Sequence, residues 1–152
     1  MPTETLASGV SKEARAVAKA TEIAKGRLSR TNYFGNWAAF DELAAVWEEC
    51  QRPNWDGYEA VPVSRETLTT ARQFLFSLPL SYPVPSIGAE PDGDLTVEWH
   101  FGPQRTLSVS ITATGDLHYA ALLGPSRAYG TEPFFGEVPD RILTLIRQAA
   151  GA

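Results

Sequence analysis

Cysteine is nearly absent from this sequence of 152 residues, because Cys50 is the only one. A lone cysteine excludes an internal disulfide and suits a reducing compartment, so we expect a cytoplasmic protein. Histidine is almost as scarce, since His100 and His118 are the two in the chain. With one cysteine they form no zinc-binding signature, and we expect no metal site and no cofactor.

Long apolar runs and glycine-rich phosphate loops are also missing. No stretch approaches the length of a membrane span, and the N-terminus lacks the apolar run of a signal peptide. What the chain does contain is 43% hydrophobic residues and four tryptophans, which argues against disorder. We therefore expect a globular domain that does not bind membranes.

The net charge of −5 is unevenly spread along the chain. Residues 1–30 hold six basic and three acidic residues, a net charge of +3, and the remainder holds seven basic and fifteen acidic residues, a net charge of −8. We expect residues 1–35 to form a basic N-terminal helix that moves separately, and residues 36–152 to form one α+β domain. The acidic body should repel nucleic acid and suit a basic protein partner, unless its charge serves solubility alone.

Alternation of apolar and polar residues is the strongest pattern in the sequence. It runs through residues 95–101, 107–112 and 117–121, with a weaker run at 85–90, and is typical of half-buried strands. These runs predict a three- or four-stranded antiparallel β-meander with helices packed on one face. Gly93 and Gly115 are expected to end three-residue hairpin loops in the left-handed region.

Loop length predicts which residues face each other in the two outer hairpins. The first hairpin places Ile87 opposite Val97, and the last places Ser110 opposite His118. Both registers keep apolar residues opposite apolar ones, which a shift by one residue would destroy.

The middle hairpin decides whether the polar face resembles a catalytic site. Pairing Phe101 with Leu107 keeps the faces matched and puts Glu98 opposite Ser110. Glu98, Ser110 and His118 would then lie side by side across three strands. Serine between the acid and the histidine is the wrong order for a nucleophilic relay, so we interpret the row as ordinary cross-strand polar pairs and expect no catalytic residue.

Three helices are predicted outside the N-terminal segment. Asn36 is expected to cap the first, which runs to about Gln51. Ser64 is expected to cap the second, and Pro79 ends it. Pro139 is expected at the first helical position of the last.

An irregular aromatic loop is predicted at Gly124–Val138, and long loops of this kind are often functional. The candidate interaction residues come from this loop and from the polar face of the sheet: Glu98, His100, His118, Arg127, Tyr129, Phe134 and Phe135. A second group is interpreted as a structural turn, in which Asx side chains bond the main chain: Asn54, Trp55, Asp56 and Gly57.

Three short motifs resemble a family of small bacterial proteins. They are Asn54-Trp55-Asp56-Gly57-Tyr58 followed by Pro62 and a helix, Pro91-Asp92-Gly93 leading to Val97-Glu98-Trp99, and Gly130-Thr131-Glu132-Pro133-Phe134. The resemblance covers residues 53–148. It implies a bacterial or mobile-element origin, and it implies no functional residue because that family has no established activity.

The favoured hypothesis is a non-enzymatic protein-interaction module: an antitoxin, an immunity protein, an accessory of anti-phage defence, or an inhibitor of a nucleic-acid-handling complex. One alternative is an enzyme or small-ligand binder that uses Asp56, Glu98 and His118. A second alternative is a nucleic-acid binder that acts through the basic N-terminal helix.

Overall fold

The computed structural model describes residues 30–151, with side chains described from Trp37 onward. Two helices come first, then five strands, then a last helix. The elements are α1 (Arg30–Cys50), α2 (Arg65–Ser77), β1 (Ser86–Ala89), β2 (Leu95–Gly102), β3 (Arg105–Ile111), β4 (Asp116–Leu123), β5 (Ser126–Pro133) and α3 (Asp140–Ala150).

The strands form one antiparallel sheet in the order β1-β2-β3-β4-β5, so each strand pairs with its neighbours in sequence. This confirms the predicted α+β class and the meander with helices on one side, although the sheet has five strands. The helix-facing side of the sheet carries the buried apolar residues of the alternating runs, including Leu95, Val97, Leu107 and Val109.

The core lies between this side of the sheet and the helices. Trp99 of β2 and Phe74 of α2 are both almost fully buried, and their ring centroids lie 6.4 Å apart. The Trp99 indole Nε1 donates a hydrogen bond to the Pro83 carbonyl oxygen at 2.9 Å, so the buried N–H is satisfied. From the last helix, Ile142 and Leu145 complete the core and are fully buried.

The start of α2 follows the sequence prediction closely. The Ser64 hydroxyl accepts a hydrogen bond from the Thr67 main-chain N–H at 3.1 Å, which confirms Ser64 as the N-cap. Val63 and Leu68, on either side of the cap, are both buried, as in a hydrophobic staple.

Two predicted helix starts are wrong. The first helix begins at Arg30, so Asn36 lies inside α1 and does not cap it. Side-chain capping is a local signal, and the helix continues through it because Ala39 and Leu43 bury one face against the core. Pro139 occupies the N-cap of α3, with extended backbone angles, and the helix begins one residue later at Asp140.

The predicted irregular loop at Gly124–Val138 is also wrong over most of its length. Ser126–Pro133 forms the fifth strand, which pairs with β4. The pairing begins with Leu123 opposite Ser126 and ends with Asp116 opposite Pro133. The two strands are joined by Gly124 and Pro125 alone, and Gly124 has a φ of 69°. A two-residue loop with glycine first is typical of a tight hairpin.

The middle hairpin has a different register from the one predicted. Trp99, not Phe101, pairs with Leu107, and Glu98 therefore faces Ser108. The turn is shorter than expected because Gly102 pairs with Arg105, and the register shifts between His100 and Gly102. A bulge at this point leaves one residue of β2 unpaired. Apolar residues therefore still lie opposite apolar ones, although each pairs with a different residue from the one predicted.

Residues 1–29, which hold most of the predicted basic N-terminal helix, lie outside the described residues. None of the helices between residues 30 and 151 is long and apolar enough to cross a membrane.

The segment after α1 is tied to the β1–β2 hairpin. The Val61 main-chain N–H donates to the Pro91 carbonyl oxygen at 2.7 Å, and Gly93 is buried beneath this contact. A Cβ on Gly93 would lie 3.2 Å from both the Pro62 carbonyl oxygen and Val61 Cγ1. The hairpin turn and the segment that leads into α2 are therefore in direct contact at a glycine.

We expect Gly93→Ala to lower the free energy of unfolding by about 2–3 kcal/mol, since the residue has a φ of 97° and its new methyl group would crowd Val61 and Pro62. Gly115→Ala is the matched control, because Gly115 also has a positive φ of 90° but has no neighbour within 4 Å of the added Cβ. It should lose only about 1 kcal/mol. Urea denaturation measures both, and equal losses would show that the contact at Gly93 contributes nothing.

Candidate functional site

The side of the sheet that faces away from the helices carries mostly polar side chains. We call it the open face. Each of its residues is either half-buried or exposed: Thr96, Glu98, His100, Thr106, Ser108, Ser110, His118, Ala120, Leu122, Arg127, Tyr129 and Thr131.

Cross-strand register arranges the open face in rows. One row runs Thr96–Ser110–His118–Thr131 from β2 to β5, so histidine follows serine and the first member is a threonine rather than the predicted Glu98. The predicted row of Glu98, Ser110 and His118 is therefore wrong, because the shorter turn and the bulge together move β2 by two residues relative to β3.

Most of the candidate interaction residues fall on the open face. These are Glu98, His100, His118, Arg127 and Tyr129.

The two phenylalanines among the candidates do not lie there. Phe134 is half-buried against the core, with its ring centroid 6.0 Å from that of Phe74. Phe135 follows it in the connection to α3 and is 88% exposed.

The structure does not bring Asp56, Glu98 and His118 together. Glu98 and His118 lie two strands apart and two residues out of register, a separation of about 12 Å. Asp56 Oδ1 accepts hydrogen bonds from the main-chain N–H groups of Tyr58 at 2.7 Å and Ala60 at 3.1 Å.

The polar side chains of the Asn54–Gly57 turn form hydrogen bonds with nearby main-chain groups. Asn54 has a φ of 61°, and its Oδ1 accepts from the Glu59 N–H at 2.6 Å. The Trp55 indole Nε1 donates to the Val61 carbonyl oxygen at 2.9 Å. These contacts shape the segment that covers Gly93, which is the geometry expected of a structural turn.

An acidic cluster, Glu90, Asp92 and Asp94, lies around the β1–β2 turn. Carboxylate oxygens of the three residues lie within 4.8 Å of one another. Carboxylate oxygens are the kind of ligand that hard cations prefer, so the three residues could hold one. Exposed acidic groups of this kind are common without an ion, so the cluster alone assigns no metal site.

Hydroxyl groups of the open face join this cluster. Glu90 Oε2 accepts from Ser110 Oγ at 2.9 Å and also from Thr96 Oγ1. On the next strand, His118 Nδ1 and Thr131 Oγ1 lie 2.8 Å apart in a hydrogen bond. Sequence reasoning did not identify the grouping of Asp92 and Asp94 with Glu90. The signal available was three acids spaced two residues apart across the turn.

Ser110 and His118 of the predicted row bond to different partners. Ser110 Oγ donates a hydrogen bond to the Glu90 carboxylate, and the His118 imidazole is bonded to Thr131. Burial, and secondarily the Glu49 carboxylate, raise the pKa of the Cys50 thiol, which keeps it protonated.

A depression of about 470 Å³ lies between the start of α2 and the β3–β4 turn, but it is shallow and open to solvent. Arg65 and Glu66 line it on one side, and Thr114 and Gly115 on the other. Small-molecule sites are usually enclosed clefts, which this open surface does not resemble.

Comparison with models of known protein families, with curated proteins and with solved structures gave no match. The resemblance to the small bacterial family stays a prediction, and a functional proposal rests on the geometry of these residues.

The acidic cluster makes stability depend on pH through Asp94. Burial, then the charges of Asp92 and Glu90, raise the pKa of the Asp94 carboxyl, and His118 partly offsets them. A raised pKa means that the ionised form costs folding free energy above that pKa, and that the cost vanishes below the ordinary pKa of aspartate.

We therefore expect Asp94→Asn to raise Tm at about pH 7 and to leave it unchanged at about pH 3. Glu137→Gln, which removes an exposed acid from the loop before α3, is the control and should change Tm little at either pH. Thermal melts followed by circular dichroism measure both variants. An equal rise for Asp94→Asn at the two pH values would contradict the electrostatic origin.

Proposed function

We propose that this chain is a non-enzymatic protein-interaction module that binds its partner with the open face. The observation that carries the proposal is an exposed apolar patch on β4 and β5, within an otherwise hydroxyl-rich surface. Tyr129 is 79% exposed and Leu122 is 39% exposed, and Ala120 lies opposite Tyr129. Tyrosine is among the residues that most often dominate binding at interfaces.

The remainder of the open face favours a protein partner over a charged ligand. Its central positions are neutral hydroxyls, including Ser108 and Thr106, and its charged side chains, Glu98 and Arg127, lie on opposite sides of these. Desolvating hydroxyls costs less than desolvating charges, and hydroxyls can donate to or accept from a partner.

Charge supports a basic partner. Residues 31–152 carry a net charge of −8, from seven basic and fifteen acidic residues. Such a body attracts positively charged proteins and speeds their association. Proteins that handle nucleic acid are commonly basic. A role as antitoxin, immunity protein, defence accessory or inhibitor in the cytoplasm fits this chemistry.

Two alanine variants test the proposal, each with a control matched in residue type and exposure. We expect Tyr129→Ala and Leu122→Ala to reduce capture of a partner from host lysate by about tenfold or more. Tyr58→Ala and Leu80→Ala should leave capture unchanged, since Tyr58 is 87% exposed and Leu80 is 45% exposed, and both lie outside the strands that form the open face.

The measurement is a quantitative pull-down with mass spectrometry, followed by titration of the purified partner. Equal losses for the open-face variants and their controls would place the binding surface elsewhere. Failure to capture any partner specifically would count against an interaction module.

A further inference from the structure

The two edges of the sheet are built differently. The β1 edge is four residues long, is preceded by Pro83 and Pro85, and contacts α1. The β5 edge is eight residues long, and within the described part of the chain β5 contacts β4 and no other helix or strand. Proteins usually protect such edges, because unpaired main-chain groups are a template for another strand.

Three of the devices that usually protect an edge strand are missing from β5. It contains no lysine, its one proline is the terminal Pro133, and its pairing with β4 runs without a bulge. Its charged residues, Arg127 and Glu132, point to opposite sides of the sheet because their positions differ by an odd number.

The direction of each main-chain group of β5 follows from the ladder. The Phe134 N–H donates to the Gly115 carbonyl oxygen at 2.9 Å, so these residues form a hydrogen-bonded pair. Bonded pairs alternate along an antiparallel ladder, so the N–H and C=O groups of Arg127, Tyr129 and Thr131 point away from β4. They have no main-chain partner among residues 30–151.

We propose that two copies of this chain pair through β5, antiparallel, about a two-fold axis at Tyr129. The two Tyr129 residues then exchange main-chain hydrogen bonds with each other, and Arg127 of each copy exchanges them with Thr131 of the other. The result is a continuous sheet made of both meanders. This proposal goes beyond the binding function of the open face and does not depend on it.

The β5 edge is self-complementary, which is why we propose a second copy of this chain as its pairing partner. Under the two-fold axis, no charged residue of β5 lies opposite a like charge, because Arg127 faces Thr131. The two exposed Tyr129 rings become cross-strand neighbours on the open face. On the helix-facing side, Ala128 lies opposite Gly130, so no bulky side chain obstructs the approach.

One interface of this kind is small, so the dimer should dissociate on dilution. It would join two open faces edge to edge and present two copies of the apolar patch to a partner. A bivalent surface raises apparent affinity when the partner is itself multivalent.

Opposite charges placed at Thr131 test the two-fold register. Thr131→Glu puts a carboxylate opposite Arg127 of the other copy, twice per dimer, and should tighten the dimer dissociation constant by about tenfold. Thr131→Arg opposes like charges and should weaken it by about tenfold. Sedimentation equilibrium of the purified full chain over a concentration series measures both constants.

Two further variants complete the design. Thr69→Glu and Thr69→Arg make the same changes at an exposed threonine on α2 and should leave the dissociation constant unchanged. Tyr129→Pro removes an outward N–H while sparing the ladder to β4, and should abolish the dimer. Circular dichroism melts confirm that each variant is folded.

A monomer at every concentration, for both the unmodified chain and Thr131→Glu, overturns the proposal. So does a dimer whose dissociation constant moves in the same direction for Thr131→Glu and Thr131→Arg, or one that persists in Tyr129→Pro. A monomer that still loses its partner on Leu122→Ala overturns the dimer alone and leaves the proposed function intact. A dimer for which no partner is captured overturns the proposed function alone and leaves the dimer intact.

Discussion

Every second side chain of an antiparallel strand points to the same side of the sheet, and this constraint organises the whole molecule. The described helices pack on one side, so Leu95, Val97 and Trp99 enter the core while Thr96 and Glu98 lie half-buried on the open face. Burial of the first set fixes the register, since a one-residue shift would expose all of it. The open face is therefore a consequence of the core, and its residues are free to serve recognition.

The position of the helices on the sheet depends on a second contact, at the β1–β2 turn. Cys50, at the end of α1, accepts a main-chain hydrogen bond from Val63 at 2.9 Å, and Val61 bonds to Pro91. The Asn54–Gly57 turn, which lies between Cys50 and Val61, is stabilised by hydrogen bonds to its own Asx side chains rather than by packing in the core. Two of the motifs in the predicted resemblance thus meet at Gly93, where packing leaves little room for a side chain. Their shared presence in the sequence has a structural explanation that requires no catalytic role.

Local signals were enough to predict part of this fold. The three-residue loops ending at Gly93 and Gly115 were predicted with their registers, because glycine in the left-handed region is a signal within the loop itself. The middle hairpin was not, since the bulge near Phe101 depends on how Trp99 and Leu107 pack in the core. The bond between Glu90 and Ser110 was missed for a similar reason, because the two residues meet only after two hairpins have formed.

β5 escaped prediction because its inward positions, Ala128, Gly130 and Glu132, carry no large apolar side chain. Gly130 lies opposite Tyr119, whose hydroxyl oxygen would be 2.7 Å from an added Cβ, so the neighbouring ring occupies the space that an apolar side chain of β5 would fill. Arg141 of α3 donates to the same hydroxyl at 3.5 Å, and the helix therefore covers Tyr119 rather than β5. The strand consequently carries no strong alternation for sequence analysis to detect. Because the Tyr119 ring fills this space, β5 contacts β4 and no other element among residues 30–151, and its outer edge is unpaired within that part of the chain.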